Sequence, residues 1–341
     1  VSLQDQEHHS LRIGILGAAR ICGLSIVEPA HILGHRLVAV AARSPERAAA
    51  FAQEHRVERV VATYDDLIND PEIDVVYNPL PNGLHGRWNI AAARAGKHVL
   101  AEKPSAANAA EARAVKDAVE AAGVVFMEAF HYPYHPLFER ISALLEEGFV
   151  GEIEHIEALL RMPAPPDSDP RWDLSLAGGS TMDLGCYSLS CLRLLGRYAG
   201  GSPTVAAARA DERPGHPGVD ERLLVDVAYP SGAIGNGGSD MDFEGRDFHL
   251  TIRGTEGELH APSFAVPSED DRLFLRPADG PETVEHLGLR SSYVSQLEVF
   301  ADAVLRGGPV LTDAAWSVGN MEMIDTAYDM AGLAPRNPAG G

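Results

Sequence analysis

Between residues 12 and 127 the chain alternates short apolar runs with helical patterns, a rhythm that few folds accept. Residues 12–16, 36–42, 57–61, 73–77, 97–101 and 124–127 read as strands. Residues 45–55, 84–95 and 106–122 read as helices between them. The first of these helices carries its own start signal, Ser44 as N-cap and Pro45 in the first helical position. Strand–helix–strand alternation predicts a parallel sheet covered on both faces, a doubly wound α/β layout.

The first strand runs into Gly17, Ala18, Ala19, Arg20, Ile21 and Cys22, followed by a helical pattern toward Leu33. A strand, a tight turn and a helix N-terminus suit a dinucleotide pyrophosphate, although Ala19 and Cys22 stand where a GxGxxG fingerprint has its second and third glycines. An ordinary βα turn has the same appearance. The second strand ends in Arg43 and Ser44 with no carboxylate to hold ribose hydroxyls. An arginine there accommodates a 2′-phosphate, so NADP is expected over NAD unless Arg43 is simply a solvated surface residue. The fifth strand, in AGKHVLAEKP, ends in Glu102, Lys103 and Pro104. Opposite charges directly after a buried strand are costly unless something uses them. In an open α/β sheet that end of the strands is where ligands bind, which makes Lys103 the first candidate for chemistry.

Beyond Phe130 the pattern changes. Helices are expected over 135–147, from 178 onward, over 293–306 and over 312–330. Strands are expected over 151–161, 204–210, 221–229, 233–240 and 247–253, with a hairpin at 254–257. The division is therefore residues 1–131 for a dinucleotide-binding domain and 132–341 for a substrate-binding and oligomerisation domain. The latter is an α+β unit with an open, mostly antiparallel sheet. Such a sheet leaves one face to bury, which predicts a homodimer or homotetramer. Within GGSTMDLGCY, Asp183 and Tyr187 are four apart and share a helical face, and the glycines suggest close approach by a backbone or a ligand. Asp183 as a cap and Tyr187 as a core residue fit that pattern too.

Composition narrows the partners. Lys plus Arg number 28 against 49 Asp plus Glu, a net charge of -21, which argues against nucleic acid or an anionic membrane surface. Three cysteines are too few for a disulfide framework and suggest a reducing, cytoplasmic setting. No leader pattern or membrane-length apolar run is signalled. Residues 1–10 read as a loose polar terminus. The spacing of His85, His131 and His135 fits no metal-ligand set.

Taken together, GILGAARI, AARSPERAAAF, VVYNPLPNGLH, AGKHVLAEKP, MEAF and GGSTMDLGCY, in this order, resemble the glucose–fructose oxidoreductase/inositol dehydrogenase (Gfo/Idh/MocA) family over nearly the whole chain. The resemblance implies a Rossmann domain, an α/β domain with an open sheet, and NAD(P)-dependent oxidoreductase activity. Tyr187 is similar to the tyrosine of the dihydrodiol dehydrogenase, xylose dehydrogenase and glucose–fructose oxidoreductase branch. Inositol-type members carry His there, often with an Asp where this chain has Ser190. Carried over, it implies Lys103 and Tyr187 as the catalytic pair beside Asp183, and Gly17, Ala18, Ala19, Arg20 and Ile21 on the pyrophosphate. Arg43 and Ser44 would take the 2′-phosphate. Leu80, Asn82 and His85 would line the cofactor groove, with Glu102 near the nicotinamide ribose. His131, Arg171 and Trp172 join Tyr187 as candidate substrate contacts. Ala19, Pro133 and Asp173 depart from the family pattern.

The expected chemistry is hydride transfer between NADP and a hydroxyl or carbonyl carbon of a sugar, sugar derivative or cyclic polyol. Tyr187 would serve as general acid/base and the Lys103 ammonium would favour its phenolate. The alternatives are a trans-dihydrodiol or nucleotide-ketosugar substrate, or a non-catalytic NADP-binding regulator.

Overall fold

The computed structural model describes residues 10–340, so the polar stretch expected to be loose lies, up to residue 9, outside the described residues. Ser10 itself is tied down, its hydroxyl donating to Gly34 O at 2.9 Å. The chain divides into two compact units. One runs up to Phe130 and includes Tyr293–Val318; the other comprises His131–Ser292 and the residues from Gly319 on. Residues 293–318, assigned by sequence to the second domain, thus group with the first unit.

The first unit holds a six-stranded sheet in the order β3-β2-β1-β4-β5-β6, every pairing parallel. Its strands are β1 Arg12–Leu16, β2 Arg36–Ala41, β3 Arg59–Val60, β4 Val75–Asn78, β5 His98–Ala101 and β6 Phe126–Glu128. The order reverses between β1 and β4, which places a ligand crevice beyond the carboxyl ends of those strands. Strands covered on both faces must be apolar throughout, and β4 and most of β5 are buried from end to end. Leu16, Val38, Val76, Val99 and Val115 pack into one core with Trp88. Burying each such side chain contributes about 1.5–3 kcal/mol. β3 is shorter than the run at 57–61. The helix expected at 106–122 begins at Ala109, because Asn108 caps it by accepting from Glu111 N and Ala107 N donates to the Glu111 carboxylate.

The second unit holds eight strands in the order β14-β13-β12-β11-β7-β10-β9-β8. They are β7 Ile153–Arg161, β8 Thr204–Glu212, β9 Asp220–Ala228, β10 Ile234–Asp240, β11 Leu250–Gly254, β12 Gly257–Ala261, β13 Arg272–Pro277 and β14 Thr283–His286. All pairings are antiparallel except β7 with β10, which run parallel. A parallel pair needs a crossover, and the helix Cys186–Leu195 lies within the connection between these two strands. That helix can sit close to the sheet because β10 is glycine-rich. A Cβ on Gly237 would fall 2.3 Å from Ser188 Oγ. Ser188 in turn donates to Ala158 O of β7 and accepts from Gly238 N of β10. Among the described residues no helix is long and apolar enough to cross a membrane.

Candidate active site

In the first unit, the turn after β1 is set by Gly17, whose φ of +88° disfavours any residue with a Cβ. Its N–H donates to Ala41 O at 2.6 Å, and a Cβ there would meet Leu80 Cδ2 at 3.0 Å, so Leu80 closes one side of the turn. Ala18, Ala19 and Ile21 remain partly exposed and Arg20 is exposed. The helix that follows opens with a wide π-turn, Gly23–Val27. Cys22 is buried, which pushes its thiol up to about 12.

Beyond β2, Arg43 is exposed. Ser44 is the N-cap of the helix Pro45–His55, accepting from Arg47 N, and its hydroxyl hydrogen goes to Glu46 at 2.7 Å. The sequence reading missed Arg47, which donates to Ala18 O at 3.0 Å and so reaches the glycine turn itself. It also missed Tyr64. Burial raises that phenol while the charges of Arg43 and Arg47 draw it down. The signal was available: Arg47 stands four residues after Arg43, in the first turn of a helix already recognised.

Lys103 follows β5, joined to Pro104 by a cis peptide bond. His85 is buried and its Nδ1 lies 2.6 Å from Pro104 O, an acceptor, so Nδ1 carries the proton. Burial pushes this imidazole down to about 4, and the Lys103 charge adds to the effect. Glu102 is buried as well, one oxygen accepting from Tyr77 at 2.7 Å. Tyr77 also meets Ser25 Oγ at 2.6 Å; burial and the Glu102 charge hold that phenol well above its ordinary value. Asn82 is the first residue of the helix Asn82–Arg94, partly exposed. The structure therefore gathers Gly17 with Leu80, and Lys103 with His85, around the carboxyl ends of the sheet.

In the second unit, Asp183 lies in a π-helical turn, Thr181–Gly185, and Tyr187 in the α-helix that continues it. Asp183 pairs with Arg171 at 3.0 Å, so two residues expected to act separately hold each other. Tyr187 is 8% exposed, and its hydroxyl lies 3.3 Å from Nε2 of His131. Trp172 is 1% exposed and its indole N–H donates to Pro165 O at 3.1 Å. It borders a cavity of about 480 Å³ lined also by Asp167, Asp169, Leu174 and His216.

The glycines of GGSTMDLGCY accommodate the protein itself. A Cβ on Gly178 would meet Arg171 O at 2.5 Å, and one on Gly179 would meet Asp220 Oδ1 at 2.0 Å. Asp220 is the centre of this turn. It accepts from Thr181 N, Thr181 Oγ1, Ser180 Oγ and Tyr328 Oη, and forms a buried ion pair with Arg336 at 2.6 Å. Nothing in the sequence reading identified Asp220 or Arg336, which stand 116 positions apart.

Comparison with known proteins agrees with this fold. A family model described as "Oxidoreductase family, NAD-binding Rossmann fold" matches residues 11–130, and the GFO/IDH/MocA C-terminal domain matches residues 138–260. The chain is 37% identical over 323 residues to a protein of Haloferax volcanii named D-xylose 1-dehydrogenase (NADP(+)) 2, covering 94% of this chain and 97% of that one. Among solved structures it superposes on KijD10, a 3-ketoreductase from Actinomadura kijaniata in complex with NADP and TDP-benzene, with a TM-score of 0.85. The identity is 25%, and the match covers 94% of this chain and 98% of the other. A levoglucosan dehydrogenase in complex with NADH and levoglucosan gives the same TM-score at 24% identity, covering 95% and 97%.

Proposed function

Since the chain belongs to the GFO/IDH/MocA oxidoreductase family, we propose that it is an NADP-dependent oxidoreductase acting on a hydroxyl or carbonyl carbon of a sugar or sugar derivative. The observation that carries the cofactor choice is the cluster beyond β2. The charges of Arg43 and Arg47 both act on Tyr64, Arg47 reaches the glycine turn, and the strand ends without a carboxylate. In a chain of net charge -21 this local concentration of guanidinium groups fits an anion with a phosphate on its ribose. The accessible turn Ala18–Ile21 fits its pyrophosphate. Ser44, its hydroxyl hydrogen directed at Glu46, serves first as a helix cap.

When bound, NADP supplies the hydride chemistry. The chain's own part is proton management. Tyr187 is proposed as the general acid/base at the substrate oxygen and Lys103 as the ammonium that favours its charged form. Asp183 orients Arg171 through their ion pair, which makes this pair the candidate for recognising substrate hydroxyls. The 3-ketoreductase with TDP-benzene favours, as a second reading, a ketosugar carried on a nucleotide. We further propose a homo-oligomer built on the open face of the eight-stranded sheet. Cys22, Cys186 and Cys191 are buried thiols, which supports a reducing cytoplasmic setting.

The test is a panel of aldoses, anhydrosugars, trans-dihydrodiols and nucleotide-linked ketosugars with NADP and with NAD, followed by nicotinamide absorbance. Tyr187→Phe should lower turnover by about 10²–10⁴-fold while NADP binding persists. A Tyr187→Phe enzyme of near-normal turnover would refute the assignment of Tyr187, and binding of NADP with no turnover of any member would favour the non-catalytic regulator.

A further inference from the structure

We propose that His131 is the proton-relay partner of Tyr187 and that Ser292 sets its tautomer, a reading that rests on Tyr187 acting as the general acid/base. His131 follows β6 after Ala129 and Phe130 and immediately precedes the turn Tyr132–Tyr134. Its side chain is 2% exposed and joins two further buried groups: Nδ1 lies 2.7 Å from Ser292 Oγ, and Nε2 lies 3.3 Å from Tyr187 Oη. The two rings meet edge to face, centroids 5.8 Å apart at 70°. Tyr132 also packs against Tyr187, centroids 6.1 Å apart, with its hydroxyl donating to Ser190. Burial holds the Tyr132 phenol well above its ordinary value, so it stays a neutral neighbour and does not compete as a base.

A neutral imidazole has one N–H and one lone pair, and its partners decide which nitrogen has which. The serine hydroxyl can accept or donate. The phenol of resting Tyr187 has a proton to give, which selects Nε2 as acceptor and Nδ1–H as the donor to Ser292 Oγ. In alcohol oxidation the substrate O–H bond breaks and its proton forms a bond to Tyr187 Oη. The phenol's own O–H bond breaks at the same time and an N–H bond forms at Nε2. The electron pair left on the substrate oxygen would close the carbonyl, with a bound oxidised nicotinamide supplying the acceptor for the carbinol hydride. Positive charge comes to rest on the imidazolium, still held through Nδ1–H by Ser292. Carbonyl reduction runs the same bonds in reverse. Tyr187 thereby returns to its neutral form within one turnover, although it is buried from bulk water.

The separation of 161 positions between His131 and Ser292 explains why no local pattern announced the pair. His131 acts through Tyr187, so it is a positioning and relay residue, distinct from the substrate contact the sequence suggested.

Two measurements test this. Nitrogen-15 NMR of the ligand-free protein should show His131 protonated at Nδ1, and Ser292→Ala should mix the two tautomers. A wild-type His131 protonated at Nε2, or a tautomer unmoved by Ser292→Ala, overturns the proposal whatever the substrate. With a sugar found by the panel, His131→Gln keeps polar atoms near the phenol but cannot take its proton. It should lower kcat about 10–100-fold with KM within about threefold. Ser292→Ala should lose about 3–10-fold, in kcat alone. If Tyr187→Phe is inactive while His131→Gln turns over within about twofold of wild type, the relay fails and the functional reading stands. If Tyr187→Phe stays active, it is the functional reading that fails.

Discussion

The two turns that carry the candidate catalytic side chains are held in opposite ways. In the first unit, the turn after Lys103 is held mostly by neutral donors. Pro104 O faces His85 Nδ1, Ser105 N donates to Glu128 Oε1, and Ser105 Oγ meets Ser317 Oγ, which donates to Glu128 Oε2. In the second, the turn before Tyr187 hangs on a carboxylate and a guanidinium that are both out of reach of water. Asp220 and Arg336 side chains are 0% and 1% exposed, Arg336 Nε donates to Gly178 O, and its guanidinium stacks 4.1 Å from the Tyr328 ring. Neutral donors around a carboxylate can be exchanged at modest cost. A buried ion pair cannot lose one member without stranding the other.

Removing Arg336 should therefore have the largest effect in this part of the molecule. Arg336→Ala leaves Asp220 with its hydroxyl and backbone donors but no counter-charge, at a cost of about 3–5 kcal/mol by chemical denaturation. Because Arg336 also holds Gly178 O, the helix Cys186–Leu195 should lose protection against hydrogen exchange near its start before the sheet does. A loss under about 1 kcal/mol would break the comparison, since the second turn would then be held like the first. Glu128→Gln probes the other side. It keeps one acceptor for Ser105 N or Ser317 Oγ and turns an amide N–H toward the second donor, so about 1–3 kcal/mol is expected. A loss equal to that of Arg336→Ala would erase the contrast.

That contrast also marks what could be read from the amino-acid sequence. The Lys103 turn was legible because its ingredients are adjacent: a buried strand, then Glu102, Lys103 and Pro104. The parallel sheet was legible because its strands are buried on both faces and apolar throughout, and the hairpin at Gly254–Gly257 because its turn residues are local. β13 and β14 left no such trace. Most of β14 is exposed, and its ladder exists only because β13 is there to pair with it. The residue types of GGSTMDLGCY pointed to a site, while the reason for its glycines did not, because what approaches them is Asp220, some 40 positions on, and Arg336 near the end of the chain. Arg171 and Asp183 were each noticed alone; that they neutralise each other is a fact of three dimensions.

A third ion cluster sharpens the comparison, since it lies on the same sheet as Asp220 but is only partly covered. His249 holds Asp247 Oδ1 through Nδ1 at 2.8 Å and Glu157 through Nε2 at 2.7 Å, and Arg161 pairs with Asp247 from the other side. Burial would raise the Asp247 carboxyl, but the hydrogen bonds and charges of His249 and Arg161 outweigh it and hold the group at about 2. Burial would likewise lower His249, and its two carboxylates outweigh that and raise it. The signs follow. Asp247, depressed when folded, contributes stability that is present above its unfolded value of about 3.9 and is lost as pH falls toward 2. His249, raised when folded, contributes stability that is present below about 6.5 and is lost as pH rises through its folded value. Both contributions coexist only between those limits, where Asp247→Asn should cost on the order of 1–2 kcal/mol. The difference between wild type and Asp247→Asn, measured by urea denaturation, should shrink below about pH 4 and again above neutrality. Added salt should weaken it as well, because partly covered charges are screened. The Arg336→Ala difference should hardly respond to salt. If the two variants instead share one salt dependence, burial does not separate these ion pairs, and the distinction between the two turns loses its physical basis.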